Sequence, residues 1–112
     1  MRLKIDTSEV KFRVASAAQP RQQSRENKTQ KTTPDGRPVW TVRLDAIDAG
    51  RETKETIWVE VAGDEPKLTF DEFAQVRDLV FAPWLGRDGK IHRAFRAESI
   101  TMIAEARRSA AA

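Results

Sequence analysis

The stretch Asp35-Gly36-Arg37-Pro38-Val39-Trp40-Thr41-Val42-Arg43-Leu44-Asp45-Ala46-Ile47 decides the fold. It opens on a Gly/Pro turn signal and then alternates, sending Trp40, Val42, Leu44 and Ala46 to one side and Thr41, Arg43 and Asp45 to the other. That is the pattern of a half-buried strand, central to a small sheet or barrel. Its polar side is the first place to look for a binding surface.

Working outward, the chain supplies further short strands. Toward the N-terminus, Arg2-Leu3-Lys4-Ile5-Asp6 alternates, and Val10, Phe12 and Val14 alternate with Lys11 and Arg13, as a second strand or as a continuation of the first beyond a bulge. Toward the C-terminus, a turn at residues 48–53 precedes Thr56-Ile57-Trp58-Val59-Glu60-Val61. If Ile57, Val59 and Val61 face the core, Trp58 faces out with Thr56 and Glu60. Two readings of that ring stay open: a platform on which a base stacks, or a ring covered by a loop or by a partner chain. Thr69, followed by Asp71, Glu72 and Phe73, predicts a short helix, with Phe70 and Phe73 packed beneath the sheet. Residues 76–81 read as the fourth strand. Asp88-Gly89 is a hairpin signal, and a fifth strand follows with Ile91, Phe95 and Ala97 on one side. The domain is expected to span residues 1–100, with residues 101–112 a fraying tail.

Length allows one core and one domain: the chain has 112 residues and no cysteine. The first residues carry no apolar run of signal-peptide length, and no run is long enough to cross a bilayer. A soluble, cytoplasmic protein is the expectation. The net charge of +3 hides a segregation. Residues 1–43 hold ten Lys/Arg against four Asp/Glu, residues 44–86 four against ten, and residues 87–112 six against three. A basic surface gathered from the two ends of the chain would suit a polyanion; charges that interleave in space would not form one. Within a basic loop at 18–37, the run from Gln19 to Lys31 has no apolar residue and cannot order itself by burial. Arg21, Arg25, Lys28 and Lys31 are its candidate phosphate contacts.

Catalytic chemistry is thin. His92 is the sole histidine, and there is no Cys or Tyr, so the usual zinc sites and nucleophilic triads have no material. Asp45, Asp48 and Glu60 offer only a weak divalent-cation set, without the closely spaced oxygen ligands such sites need. Residues 86–89 lack the Gly-Lys-Ser/Thr ending of a phosphate loop. The expectation is a binding module, with no enzymatic turnover and no cofactor.

Asp35-Gly36-Arg37-Pro38-Val39-Trp40-Thr41-Val42, Trp58-Val59-Glu60-Val61, residues 79–84 and Arg96-Ala97 resemble the replication activator (Pra-type) proteins of actinobacterial integrative elements, over roughly residues 31–100. The resemblance implies a role in plasmid-like replication, excision and transfer. The N-terminal half is also similar in layout to the single-strand DNA-binding proteins of filamentous phages. There a first strand and a basic loop precede a Gly-x-Pro-led strand of a dimeric oligonucleotide-binding barrel, but the base-stacking tyrosines of that family have no counterpart here. The combined expectation is an all-β, five-stranded OB-like barrel with one short helix and a long basic loop, a homodimer that binds single-stranded DNA. Arg21, Arg25, Lys28, Lys31, Arg37, Arg43 and Arg96 would contact phosphates and Trp58 would stack a base. The alternative is a protein-interaction module docking on a replication initiator.

Overall fold

Alternation from Val39 onward becomes ten residues of strand, and it is answered by ten more. Val39–Asp48 pairs antiparallel with Thr53–Ala62 along its whole length, from Val39 opposite Ala62 to Asp48 opposite Thr53. The structure, a computed structural model, describes residues 3–22, 29–48 and 50–103. In chain order its strands are β1 (Leu3–Lys4), β2 (Val10–Val14), β3 (Gln19–Pro20), β4 (Val39–Asp48), β5 (Thr53–Ala62), β6 (Phe73–Arg77), β7 (Val80–Phe81), β8 (Trp84–Leu85), β9 (Ile91–His92), β10 (Phe95–Ala97) and β11 (Ser99–Met102).

Nine of these form one mixed sheet in the order β1-β7-β10-β5-β4-β2-β6-β11, with β3 on β4; β8 and β9 form a separate hairpin. Every pairing is antiparallel except that of β10 with β5. Only Glu98 separates β10 from β11, yet β10 lies against β5 and β11 lies beyond β6. In a flat sheet those two positions would be roughly 24 Å apart at the usual strand spacing. The sheet therefore curls until its far end returns to the continuation of β10. The hydrogen-bonded ladder runs from β1 to β11 as one strongly bent, mixed sheet of nine strands, where the sequence pattern predicted five.

Inside the curl sit Phe12, Val14, Val42, Leu44, Ile57, Val59, Val61, Ala74, Val76, Leu79, Ile100 and Met102. Val42, Leu44 and Val59 are completely buried, each such side chain contributing about 1.5–3 kcal/mol. The parity read from the central stretch holds. Trp40, on the same side, is half-buried and donates its indole N–H to the Gly63 carbonyl at 2.9 Å.

Four expectations are corrected. No helix forms at residues 69–73. Asp71 adopts φ 67°, a left-handed conformation that ends any helical turn, and the segment bonds to β2 through Asp71 N–H to Val14 O and Val14 N–H to Glu72 O, both 2.9 Å. Phe70 and Phe73 are consequently exposed rather than packed beneath the sheet. The expected fourth strand is broken at Asp78 (φ 52°), so that β6 pairs with β2 and β11 while β7 pairs with β1 and β10. Finally, Ile91 belongs to the β8–β9 hairpin and is exposed. Among the described residues no helix is long and apolar enough to cross a membrane. The expected tail beyond residue 103 lies outside the described residues.

Candidate nucleic-acid interface

Since inward and outward positions alternate, burial of Ile57, Val59 and Val61 forces Trp58 outward, and it is 51% exposed. Arg43 stands opposite it in register on β4. Two residues further along β5, Glu60 stands opposite Thr41 on β4 and Arg96 on β10. Trp58, Glu60 and Thr41 floor a groove of about 500 Å³. One wall is the strand edge from Gln19 to Gln22, and the other is Trp84 with residues 92–95.

The first wall is the root of the basic loop, and the backbone ties it down. Arg21 N–H bonds to Val39 O at 2.9 Å, Val39 N–H to Lys31 O at 2.9 Å, and Lys31 N–H to Arg21 O. The loop thus folds back on itself at its base, with isolated bridges Gln22–Gln30 and Thr32–Pro38. The second wall is the β8–β9 hairpin. Trp84 and His92 are cross-strand partners whose rings stack at 4.4 Å between centroids, inclined by 17°. Its turn uses Gly89 at φ 75°. Gly86 leaves room for the imidazole, because a Cβ there would come within 2.5 Å of His92 Nε2. Asp88 accepts from the Lys90 backbone N–H at 3.0 Å and lies 3.3 Å from His92 Nε2, and these two contacts hold its carboxyl below the usual range.

The charge segregation seen along the sequence does not survive in space. Glu60 Oε1 accepts from Arg21 Nε at 3.0 Å, and Oε2 lies 3.6 Å from Arg96 Nε. Arg13 bridges Asp45 at 3.3 Å and Asp71 at 3.5 Å, and Arg93 pairs with Glu55 at 3.0 Å. Carboxylates from the acidic middle of the chain thus interleave with cations from both ends. Arg93–Glu55 is an exposed pair, worth about 0–1 kcal/mol, whereas Asp45 and Glu60 are largely covered; Arg21 and Arg96 each have five N–H donors, so they can meet an arriving anion without releasing Glu60.

Of the expected site residues, Arg21 and Trp58 line the groove and Arg43 adjoins Trp58. Lys31 and Arg96 line a smaller depression of about 200 Å³ that shares Glu60 with the groove. Arg37 stands apart on the turn, paired to Asp35 at 3.0 Å; the Thr33 hydroxyl and then Arg37 hold the Asp35 carboxyl below its ordinary range. Arg25 and Lys28 lie outside the described residues. Asp45, Asp48 and Glu60 are not brought together: Asp45 is bound by Thr56 and Arg13, Asp48 faces Arg51, and Glu60 is held by the two arginines. Sequence reasoning did not assign Trp84, His92 or Arg93 to the site. The Asp-Gly turn signal was the clue that this segment doubles back, but which wall it would form depends on the pairing of β10 with β5.

A larger groove, about 830 Å³, lies over β2 and β6. Apolar residues such as Val10, Phe12 and Val76 dominate it, and the Lys11 ammonium sits 5.9 Å above the Phe73 ring. It has fewer groups suited to a polyanion or a base than the Trp58 groove. No protein-family model, no curated protein and no solved structure matches the chain.

Proposed function

We propose that this chain is an OB-like module that binds single-stranded DNA in the groove floored by Trp58, acting in replication or transfer of a plasmid-like or integrative mobile element. The observation that carries the reading is a half-exposed tryptophan on a rigid strand, between a basic loop root and an aromatic hairpin. Support for the OB-like description comes from strand order. With β10 and β11 counted as one bent strand, the ring β2, β4, β5, β10–β11, β6 has five members, and the groove lies on the second and third. Its walls belong to the connections between the first and second members and between the fourth and fifth, the elements with which OB barrels hold oligonucleotides.

In this reading a base stacks on Trp58, and the stacked Trp84–His92 pair offers a second ring surface. Phosphates run along Arg21, Lys31, Arg43 and Arg96, and Arg25, Lys28 and Arg37 are proposed as further phosphate contacts. The assignment to a mobile element rests on the resemblance to Pra-type replication activators. The proposed setting is cytoplasmic and the proposed assembly a homodimer, with no catalytic turnover. The test is a polarisation titration with single- and double-stranded oligonucleotides at two salt concentrations. Tighter binding to the single strand, falling steeply with salt, is expected; no binding at low salt rejects the reading.

A second reading, a protein-interaction module docking on a replication initiator, is favoured by one observation. On the β8–β9 hairpin, Leu85 and Ile91 are cross-strand partners and both are more than 70% exposed. Charge reversal at Arg21, Arg25, Lys28 and Lys31 separates the two, since it abolishes nucleic-acid binding under the first reading and leaves protein binding intact under the second.

A further inference from the structure

A groove built only to hold phosphates would not carry a carboxylate in its floor. Glu60 is nevertheless there, with its side chain 19% exposed and two arginines fixing it from either side. It shares a face with Trp58 two residues earlier on the same strand, a displacement of about 6.5–7 Å. That is the offset between the middle of a stacked base and a group that meets its edge.

We propose that Glu60 reads the Watson–Crick edge of the base stacked on Trp58 and selects guanine. This inference rests on the nucleic-acid reading above. A carboxylate can only accept hydrogen bonds, and it has about four lone-pair directions. Arg21 takes one of these at 3.0 Å and Arg96 approaches the other oxygen at 3.6 Å, so directions remain on both oxygens. Guanine presents two donors side by side, N1–H and the N2 amine, which match two carboxylate oxygens. Adenine and cytosine each present one amine beside a ring nitrogen whose lone pair repels the carboxylate. Thymine presents one N–H between two carbonyls. The two arginines hold the acceptor in place from either side. Single-strand recognition commonly combines stacking with edge contacts of this kind, and a two-bond contact discriminates among bases by roughly 5- to 150-fold.

The experiment uses the full chain and a set of fluorescent oligothymidylates carrying one central dG, dA, dC or deoxyinosine. The dG strand is expected to bind roughly tenfold more tightly than the all-thymidine strand. Deoxyinosine keeps N1–H but lacks the amine, so it should lose most of that advantage without any change to the protein. Glu60→Gln should bring the dG and all-thymidine strands to similar affinity. Equal binding of dG and deoxyinosine, or a dG preference that persists in Glu60→Gln, overturns the assignment while leaving single-strand binding in place. Absence of binding to every strand would instead reject the underlying function, and this inference with it.

Discussion

The β4–β5 ribbon and the segment from β6 to β9 are of similar length, and they solve opposite problems. The ribbon lays ten residues against ten without interruption, and its inner positions are among the most buried in the molecule. The later segment breaks into strands of five, two, two and two residues that pair with four different partners or with each other. One is a floor whose geometry is fixed by its own pattern. The other takes its position from the elements it touches: β6 carries Ala74 and Val76 into the core, while the β8–β9 hairpin, the wall of the groove, lies outside the main sheet and is expected to tolerate change without unfolding the floor.

That contrast is broken most directly by truncating both regions. Leu44→Ala empties a fully buried site in the ribbon and is expected to cost about 2–5 kcal/mol in urea denaturation. Ile91→Ala, on the exposed side of the hairpin, is expected to stay within about 0.5 kcal/mol of the parent. Similar losses from the two would mean that the hairpin belongs to the same cooperative unit as the ribbon.

The same contrast explains what the sequence disclosed. In the ribbon a strict two-residue period runs long enough that one register alone buries Val42, Leu44, Ile57 and Val59 together, so inward and outward faces follow from pattern, Trp58 included. From residue 69 to residue 92 no run is long enough to fix its own partner. Thr69 and its acidic neighbours resemble a helix start, but bonds from Asp71 and Glu72 to Val14 commit the segment to β2. The break at Asp78 follows from a left-handed residue that only tertiary pairing reveals. Of the two charge arrangements left open by the sequence, interleaving describes the ion pairs of Arg13, Arg21 and Arg96, for a related reason. Runs of one sign along a chain are folded against runs of the other by antiparallel and crossover pairing, as Arg21 and Arg96 on Glu60 illustrate.

Binding should divide along the same line. Trp58→Ala removes the stacking surface of the floor, and a loss of about 1–3 kcal/mol in single-strand affinity is expected, with thermal stability nearly unchanged because the ring is already half in solvent. Trp84→Ala, whose ring is already engaged with His92, should cost less. A reversed ranking in a polarisation titration would make the hairpin the principal platform. Gly86→Ala probes the wall without truncating either ring. The added Cβ meets His92 at 2.5 Å, so the imidazole must shift, which disturbs its stack on Trp84. Affinity should fall by roughly the value of one aromatic contact, about 0.5–1.5 kcal/mol, while the urea midpoint moves little.

The smallest effect concerns how the ribbon is fastened to β2. Asp45 accepts the Thr56 hydroxyl at 2.8 Å across the ribbon and pairs with Arg13 on β2 at 3.3 Å. The hydroxyl first and the guanidinium second hold its carboxyl below the usual range despite partial burial. A carboxyl with a lowered folded-state pKa contributes stability that is fully present above its unfolded value, about 3.9, and is lost as pH falls through the folded value. Asp45→Asn keeps an acceptor for Thr56 but abolishes the charge. At neutral pH the substitution should therefore cost about 1 kcal/mol or less, as befits a partly exposed pair, and the gap between variant and parent should close below about pH 4. The difference between the two denaturation profiles isolates this carboxyl, since Asp6, Asp35 and Asp88, also lowered, and Glu98, raised by Asp78, are common to both. A gap that stays constant down to pH 2 would assign the fastening to the uncharged hydrogen bond alone.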